Sequence, residues 1–305
     1  MVEQKSLSRR AWGELLILAM IWGGSFLSIR VALNELSVVS VVAHRVLWAA
    51  VILWGVVLVR RLPLPRDPRI WGAFLVMGLL NNVIPFGLMA WGQLHISTGL
   101  TSILNASTAV FGVVVAAAVF ADERLTARRA IGVTLGFAGV ATAIGLDALA
   151  QFDIRSLAQL AVLGGTFSYA LASAWGRRNF GGLHPLVAAA GMLGASALVM
   201  VPAAFVIDGP MTLRLAPATL LAVAYYSVVA TALAYVVYFR VQAMAGAGNL
   251  MLCTLMVAPI AIVLGAVFLG ETLRPSAYVG FALLASGLVI LNRKPRHRAL
   301  RPQSP

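Results

Sequence analysis

Hydroxyl and amide side chains recur at helical spacing along one predicted helix of the sequence. Intervals of three or four residues place them on one face of an α-helix. Such groups form directional hydrogen bonds, so the stripe is a candidate for setting solute specificity. It faces either a cavity or a neighbouring helix, because hydroxyls also bond across helix interfaces in lipid. Its members are Ser227, Thr231, Tyr235, Tyr238 and Gln242.

Other polar and aromatic residues in apolar runs are candidates for the same cavity. Asn81 and Asn82 precede Pro85, a pattern that predicts a locally open backbone able to bind a solute, or else bonding between helices. Aromatic pairs at helical spacing form either a cavity wall for apolar or aromatic solutes or ordinary packing. The remaining candidates are Trp22, Phe26, Asn105, Tyr169, Ser173 and Asn249.

The charged residues offer less chemistry. Arg45 lies about 10 Å from the outer end of its apolar run, at 1.5 Å per residue. Three roles are open to it: attraction of a substrate carboxylate, pairing with carbonyls or an outer-loop acid, or extension of the side chain to the membrane surface. A structural role is favoured. Glu123 and Glu271 each precede an apolar run, where a helix N-terminus favours negative charge, so a capping or helix-turn role is expected. All ten acidic residues, Glu14 included, fall in loops, tails or helix ends, which argues against a buried proton relay.

The sequence gives no sign of a catalytic or metal centre. Cys253 is alone in an apolar run, which leaves no cysteine framework for a metal or a disulfide. The four histidines are far apart, and neither a His-Glu-x-x-His motif nor a phosphate-binding glycine loop with lysine is present. We therefore expect no enzyme activity, no metal and no cofactor. The net charge of +13 is dispersed among short segments and a tail, which argues against a nucleic-acid partner.

The elements that position these residues are apolar helices. Hydrophobic residues make up 61% of the 305 residues, charged residues make up 11%, and the mean hydropathy is +0.92. Runs of this length satisfy their backbone in lipid only as helices, which predicts an all-α integral membrane protein with ten transmembrane helices. The runs lie near 14–33, 38–59, 70–92, 98–120, 130–146, 157–175, 185–207, 217–239, 247–269 and 277–292.

Two further patterns organise these runs. Nearly all Lys and Arg between them fall on one side if the N-terminus is cytoplasmic, so both termini are expected in the cytoplasm. A shift of 148 residues aligns Glu123 with Glu271 and Gly132 with Gly280. The chain thus divides into two five-helix repeats, 1–146 and 147–292, and a basic tail, 293–305. An odd number of spans inverts the second copy, which is typical of alternating-access carriers.

Two motifs carry a resemblance to a known family. Trp22-Gly23-Gly24-Ser25-Phe26 in the first run and the Glu-x-Leu elements that begin at Glu123 and Glu271, together with Arg45, resemble the EamA-like family of the drug/metabolite transporter superfamily. The resemblance extends from about Trp12 to Asn292. It implies a cavity lined by the first, third, fourth, sixth, eighth and ninth helices. It also implies carriage of amino acids, related metabolites or drugs, usually as efflux.

The preferred hypothesis is therefore a secondary carrier in the cell (inner) membrane, with a small-molecule solute and the lipid bilayer as partners. Its alternative is a membrane sensor or scaffold that does not transport. In the second half Tyr169 replaces the motif tryptophan, so the two half-sites are expected to differ. Gly132 and Gly136 form a small-x-x-x-small pattern that suits packing within the chain, while a homodimer is left open.

Overall fold

A computed structural model describes residues 7–269 and 275–292, and every regular element in those ranges is helical. Single-turn helices, Leu146–Leu149 and Ala247–Leu250, lie in two of the connections. Glu271 and the basic tail lie outside the described residues. The longer helices are α1 (Arg9–Ala32), α2 (Val38–Val59), α3 (Pro68–His95), α4 (Thr98–Val119), α5 (Ala127–Ile144), α6 (Leu157–Asn179), α7 (Pro185–Asp208), α8 (Pro217–Ala245), α9 (Cys253–Leu269) and α10 (Pro275–Asn292).

Seven of these helices, α1 to α4 and α6 to α8, are long and apolar enough to cross a membrane. The other three contain 17 or 18 residues. A residue rises about 1.5 Å along a helix, so these three extend for roughly 26–27 Å. The described residues thus form the helical bundle of a multi-pass membrane protein.

Polar caps move one helix boundary from its predicted place. Ser8 accepts a hydrogen bond from the Ala11 N–H at 3.1 Å, and α1 therefore begins at Arg9. Glu14 lies in the second turn of α1, whereas the sequence placed it at the end of the apolar run. Its carboxylate is buried and pairs with Arg240 at 2.5 Å. Glu14 therefore lies near the N-terminal end of α1, and its ion pair joins that end to α8.

Helices α5 and α10 pack backbone against backbone through glycines. A Cβ atom on Gly139 would lie 2.7 Å from the Gly280 carbonyl oxygen, and one on Gly287 would lie 2.6 Å from that of Gly132. The shift of 148 residues exchanges these two contacts, so the interface is self-complementary. Gly136, between them, also packs against a helix of the same chain. The glycine face of α5 is thus used for packing within the chain.

Two helices widen into π-helical segments at corresponding points. Leu79–Val83 lies in α3 and Tyr225–Leu233 lies in α8. The shift of 148 residues carries 79–83 onto 227–231, inside the second segment. In a π-helix each N–H bonds five residues back, so carbonyls at its ends lose their α-helical partners. Such segments offer backbone acceptors in the interior of a bundle.

Candidate functional site

A cavity of about 80 Å³ lies between the helices. A water molecule needs roughly 10–15 Å³ by the same kind of measure, so the cavity has room for several waters or a small solute. Its wall comes from α1, α3, α4, α6, α8, α9 and the turn before α9, the helices implied by the family resemblance, and from one residue of α2. The lining residues are Trp22, Ser25, Phe26, Ile29, Arg45, Asn81, Phe86, Met89, Ala90, Gln93, Asn105, Thr108, Tyr169, Tyr235, Tyr238, Met251, Thr254 and Val257.

The structure brings eight of the sequence-predicted residues to this cavity. They come from six different helices, and only the fold places them together. Their roles toward a solute remain predictions. The eight are Trp22, Phe26, Arg45, Asn81, Asn105, Tyr169, Tyr235 and Tyr238.

Aromatic rings form one part of the wall. The Trp22 ring lies 6.2 Å from that of Tyr235 and 6.3 Å from that of Tyr238, between ring centroids. Both distances suit edge or tilted contacts between rings. Phe86 and Tyr169 make a similar contact at 6.4 Å. These rings pack edge to face or tilted against one another, so this part of the cavity is an apolar surface.

Backbone carbonyls of the two π-segments orient these side chains. The Trp22 indole N–H donates to the Ala230 carbonyl at 3.0 Å, and the Tyr235 hydroxyl donates to the Asn81 carbonyl at 3.4 Å. The Ser168 hydroxyl donates to the Leu80 carbonyl at 2.6 Å. The sequence predicted a locally open backbone around Asn81. The structure has a π-turn there, whose carbonyls are occupied by side chains of α6 and α8.

Arg45 reaches the cavity from α2 and is buried. Its Nε donates to the Thr231 hydroxyl at 2.7 Å, and its Nη2 donates weakly to the Ala230 carbonyl at 3.5 Å. The guanidinium carbon lies 3.7 Å from the centroid of the Phe86 ring, a cation–π contact. Within the described ranges no carboxylate lies within 4 Å of this guanidinium. Arg45 is thus a buried cation held by neutral groups.

Four sequence candidates lie between helices and do not line the cavity. Asn82 donates to the Ser196 hydroxyl at 2.8 Å, and Ser173 donates to the Ala247 carbonyl at 3.2 Å. Thr231 bonds the Tyr226 carbonyl and accepts from Arg45. Asn249 accepts from Arg129 at 3.0 Å. The two interpretations of the α8 stripe each hold for part of it, because its tyrosines reach the cavity and its threonine bonds within the bundle.

Sequence reasoning missed Gln93. Helix α3 continues to His95, beyond the apolar run predicted to end at 92, and places Gln93 on the cavity wall. The side chain is buried, and neither its amide nitrogen nor its amide oxygen has a partner among the described residues. Its backbone carbonyl accepts from Arg30 at 2.7 Å, which fixes this end of α3 to α1. The sequence did hold a signal for this residue, namely an amide side chain directly after an apolar run.

Glu123 is the centre of a buried ion-pair network. Its Oε1 accepts from Arg177 at 2.5 Å and from the Ala247 N–H at 2.9 Å. Its Oε2 accepts from Arg129 at 3.3 Å and from the Gly248 N–H at 3.0 Å. The helix-turn role expected of Glu123 thus involves a turn in the other half of the chain. Thr126, not Glu123, caps α5.

A second carboxylate, Glu35, joins the connection after α1 to the start of α8. It accepts from the Thr219 hydroxyl and from the Ala216 N–H at 3.0 Å. These hydrogen bonds, the one from Thr219 foremost, lower the pKa of the Glu35 carboxyl below its usual value of 4.5. The contact therefore stabilises the protein at neutral pH and loses its effect as the pH falls below the usual pKa.

The Glu35 contact predicts a pH dependence. The Tm of the wild type in detergent is expected to exceed that of Glu35→Gln slightly at pH 7, because this carboxylate is exposed to solvent. The difference is expected to shrink as the pH falls below 4.5, where the Glu35 carboxyl of the unfolded wild type takes up a proton. A difference that stays constant between pH 7 and pH 4 would contradict this account.

Comparison with known proteins places these features in a family. The model of the EamA-like transporter family matches the chain twice, over residues 11–145 and 156–293. The "Probable terminal-alkyne amino-acid exporter" of Streptantibioticus cattleyicolor is 27% identical over 98% of both chains. The "Uncharacterized transporter YvbV" of Bacillus subtilis is 26% identical over 75% of this chain and 74% of its own length.

A solved structure shares the fold. It superposes with a TM-score of 0.76, and the match covers 93% of this chain and 96% of the other at 17% identity. At that level of identity the likeness concerns the helical architecture alone.

Proposed function

The chain belongs to the EamA-like transporter family and is a multi-pass membrane transporter; from this premise we propose that it is a secondary carrier. It exports amino acids, related small metabolites or drugs by alternating access around the cavity. The observation that carries the proposal is the cavity itself, which helices from both halves of the chain enclose around one buried cation. Among the residues that line it there is no carboxylate, imidazole or thiol. This lining favours binding and release over catalysis.

The proposal includes ten spans, with α5, α9 and α10 crossing beside the seven longer helices. Their rise of roughly 26–27 Å is close to the bilayer core of about 30 Å. Both termini lie in the cytoplasm of a cell whose inner membrane holds the protein, because the basic residues between the spans then fall inside.

Two inverted five-helix repeats, 1–146 and 147–292, complete the proposed architecture. A shift of 148 residues turns the Gly139–Gly280 contact into the Gly287–Gly132 contact. This exchange supports an internal two-fold relation between the repeats. The matching π-segments and the two matches to the family model support it as well. Because the glycine face of α5 is occupied by α10, a homodimer would need a different surface.

The Glu123 network serves in this proposal as the closure of the cytoplasmic side. It connects the end of α4, the start of α5 and the end of α6 to the turn before α9. Opening toward the cytoplasm requires these contacts to separate. The carrier cycle then alternates between this arrangement and one that is open toward the cytoplasm.

Counterflow in proteoliposomes tests the carrier function, with two asparagines as a matched pair. Vesicles preloaded with unlabelled solute are screened for accelerated uptake of labelled amino acids, beginning with L-propargylglycine, and of amphipathic drugs. Asn105→Ala removes an amide from the cavity wall and is expected to raise the half-saturation concentration up to about tenfold, the value of one hydrogen bond. Asn82→Ala removes an amide that bonds Ser196 and is expected to lower Tm but not transport by the folded fraction.

The outcomes separate the hypotheses. Counterflow that is weakened by Asn105→Ala and retained by Asn82→Ala supports the carrier and its cavity. Counterflow affected equally by both variants would contradict the cavity assignment. Absence of counterflow for every solute, with the wild type folded and inserted, would overturn the carrier function in favour of a sensor or scaffold.

A further inference from the structure

The guanidinium of Arg45 has hydrogen-bonding capacity that the fold does not use. A guanidinium carries five N–H donors in a planar fork. The described residues accept from two of them, through Thr231 and the Ala230 carbonyl, and the second of these contacts is long. The remaining donors belong to a side chain that lines the cavity. They are available to a molecule bound there.

The charge of Arg45 is also uncompensated. Burying an ion is costly unless an opposite charge accompanies it, and the neighbours of Arg45 supply only a hydroxyl, a carbonyl and the face of Phe86. A purely structural brace between α2 and α8 would need hydrogen bonds but no net charge. An arginine at this place is explained if an anion joins it, because planar guanidinium binds carboxylate through two parallel hydrogen bonds.

Gln93 provides a second unsatisfied group on the same cavity wall. Both its amide nitrogen and its amide oxygen are buried without partners in the described part of the chain. Leaving a buried polar group unpaired is unfavourable, and native proteins seldom tolerate it without a role. Its amide offers one donor end and one acceptor end, which suits a polar group placed away from the carboxylate.

We propose that Arg45 and Gln93 are the residues that set substrate specificity, and that the solute is a small monocarboxylate with a second polar group. Arg45 binds the carboxylate, Gln93 binds the second polar group, and the rings of Trp22 and Phe26 contact the apolar remainder. A cavity of about 80 Å³ limits the size of the solute. The wall contains a single cation and no acid, so it favours a solute with a carboxylate over an amine without a carboxylate. The inference rests on the proposed carrier function and names its substrate class.

Competition among close chemical analogues tests the inference without any mutation. Counterflow of labelled L-propargylglycine by the wild type is measured against unlabelled L-norvaline, which keeps the carboxylate, and against L-norvalinamide, which replaces it with a neutral amide. We expect the acid to compete at least tenfold better than the amide, because a charge-assisted hydrogen-bonded pair is lost with the amide. Equal competition by the two compounds would overturn the assignment of Arg45.

Substitutions of Arg45 and Gln93 test which residue produces the preference for the acid over the amide. Arg45→Gln keeps hydrogen-bonding groups but removes the charge, and we expect it to abolish the difference between acid and amide. Gln93→Leu is expected to reduce competition by L-norvaline more than competition by pentanoate, which lacks the amino group. Arg60→Gln, at the exposed end of the same helix, is the matched control and is expected to retain the wild-type preference. An unchanged acid-to-amide ratio in Arg45→Gln would refute the proposal.

Binding measured by thermal shift separates this inference from the carrier function. If no solute gives counterflow, the Tm of the purified wild type is measured in detergent with each compound. Greater stabilisation by L-norvaline than by L-norvalinamide, lost in Arg45→Gln, would support the carboxylate site while the carrier function fails. Equal stabilisation, or none with either compound, would overturn the carboxylate site as well.

Discussion

Replacing Glu123 with alanine is expected to destabilise the protein by about 3–5 kcal/mol, because it removes the buried carboxylate that pairs with both Arg129 and Arg177. The side chain of Glu123 is 3% exposed and that of Arg129 is 4% exposed, so water cannot replace the lost carboxylate. The N–H groups of Ala247 and Gly248 lose their acceptor in the same step. We expect Tm in detergent to fall by on the order of 10 °C.

Asp122→Asn is the matched control for Glu123→Ala. Asp122 pairs with Arg177 at 2.5 Å, but both side chains are more exposed than that of Glu123, so solvent screens the pair. The expected loss is therefore well under half of that for Glu123→Ala. Equal losses of Tm in the two variants would show that burial of Glu123 does not determine the stability of the network.

Replacing Gly139 with valine is expected to cost more than about 3 kcal/mol, since overpacking of a tight contact displaces backbone. A Cβ atom there would lie 2.6 Å from the Leu284 nitrogen and 2.7 Å from the Gly280 carbonyl oxygen. Neither atom belongs to a flexible side chain, so α5 and α10 must separate. We expect little folded protein after extraction, measured as the monodisperse fraction on size-exclusion chromatography.

The same substitution at Gly55 is the control. An added Cβ atom there would have nothing within 4 Å, and Gly55 is exposed on α2. Gly55→Val is expected to give a yield and Tm near those of the wild type. Recovery of folded Gly139→Val at the level of Gly55→Val would contradict the backbone contact between α5 and α10.

The sequence was a good guide wherever hydrophobic periodicity decides the structure. The apolar runs coincide with helices, and Trp22, Asn105 and Tyr235 line the cavity. Spacing along one helix shows which residues share a face, but it does not show which neighbour that face meets. For this reason Thr231 and Asn82 were grouped with cavity residues although they bond within the bundle.

The missed features depend on contacts between distant parts of the chain. Glu123 was expected to act on the helix that follows it, yet two of its donors are backbone groups in the turn at Ala247 and Gly248. Gln93 was overlooked because the end of an apolar run is a poor estimate of the end of a helix. The hydrophobic pattern gave no sign of the second π-segment, Tyr225–Leu233 in α8.

The uncompensated charge of Arg45 has an electrical consequence. In a carrier of the proposed kind, the empty site takes one positive charge with it when it reorients, across some part of the membrane field. A full traverse is worth about 2.3 kcal/mol for each 100 mV. With a monoanion bound, the site is neutral, so an inside-negative voltage favours return of the empty site and net export. With a zwitterion bound, both steps carry equal charge and the cycle is indifferent to voltage.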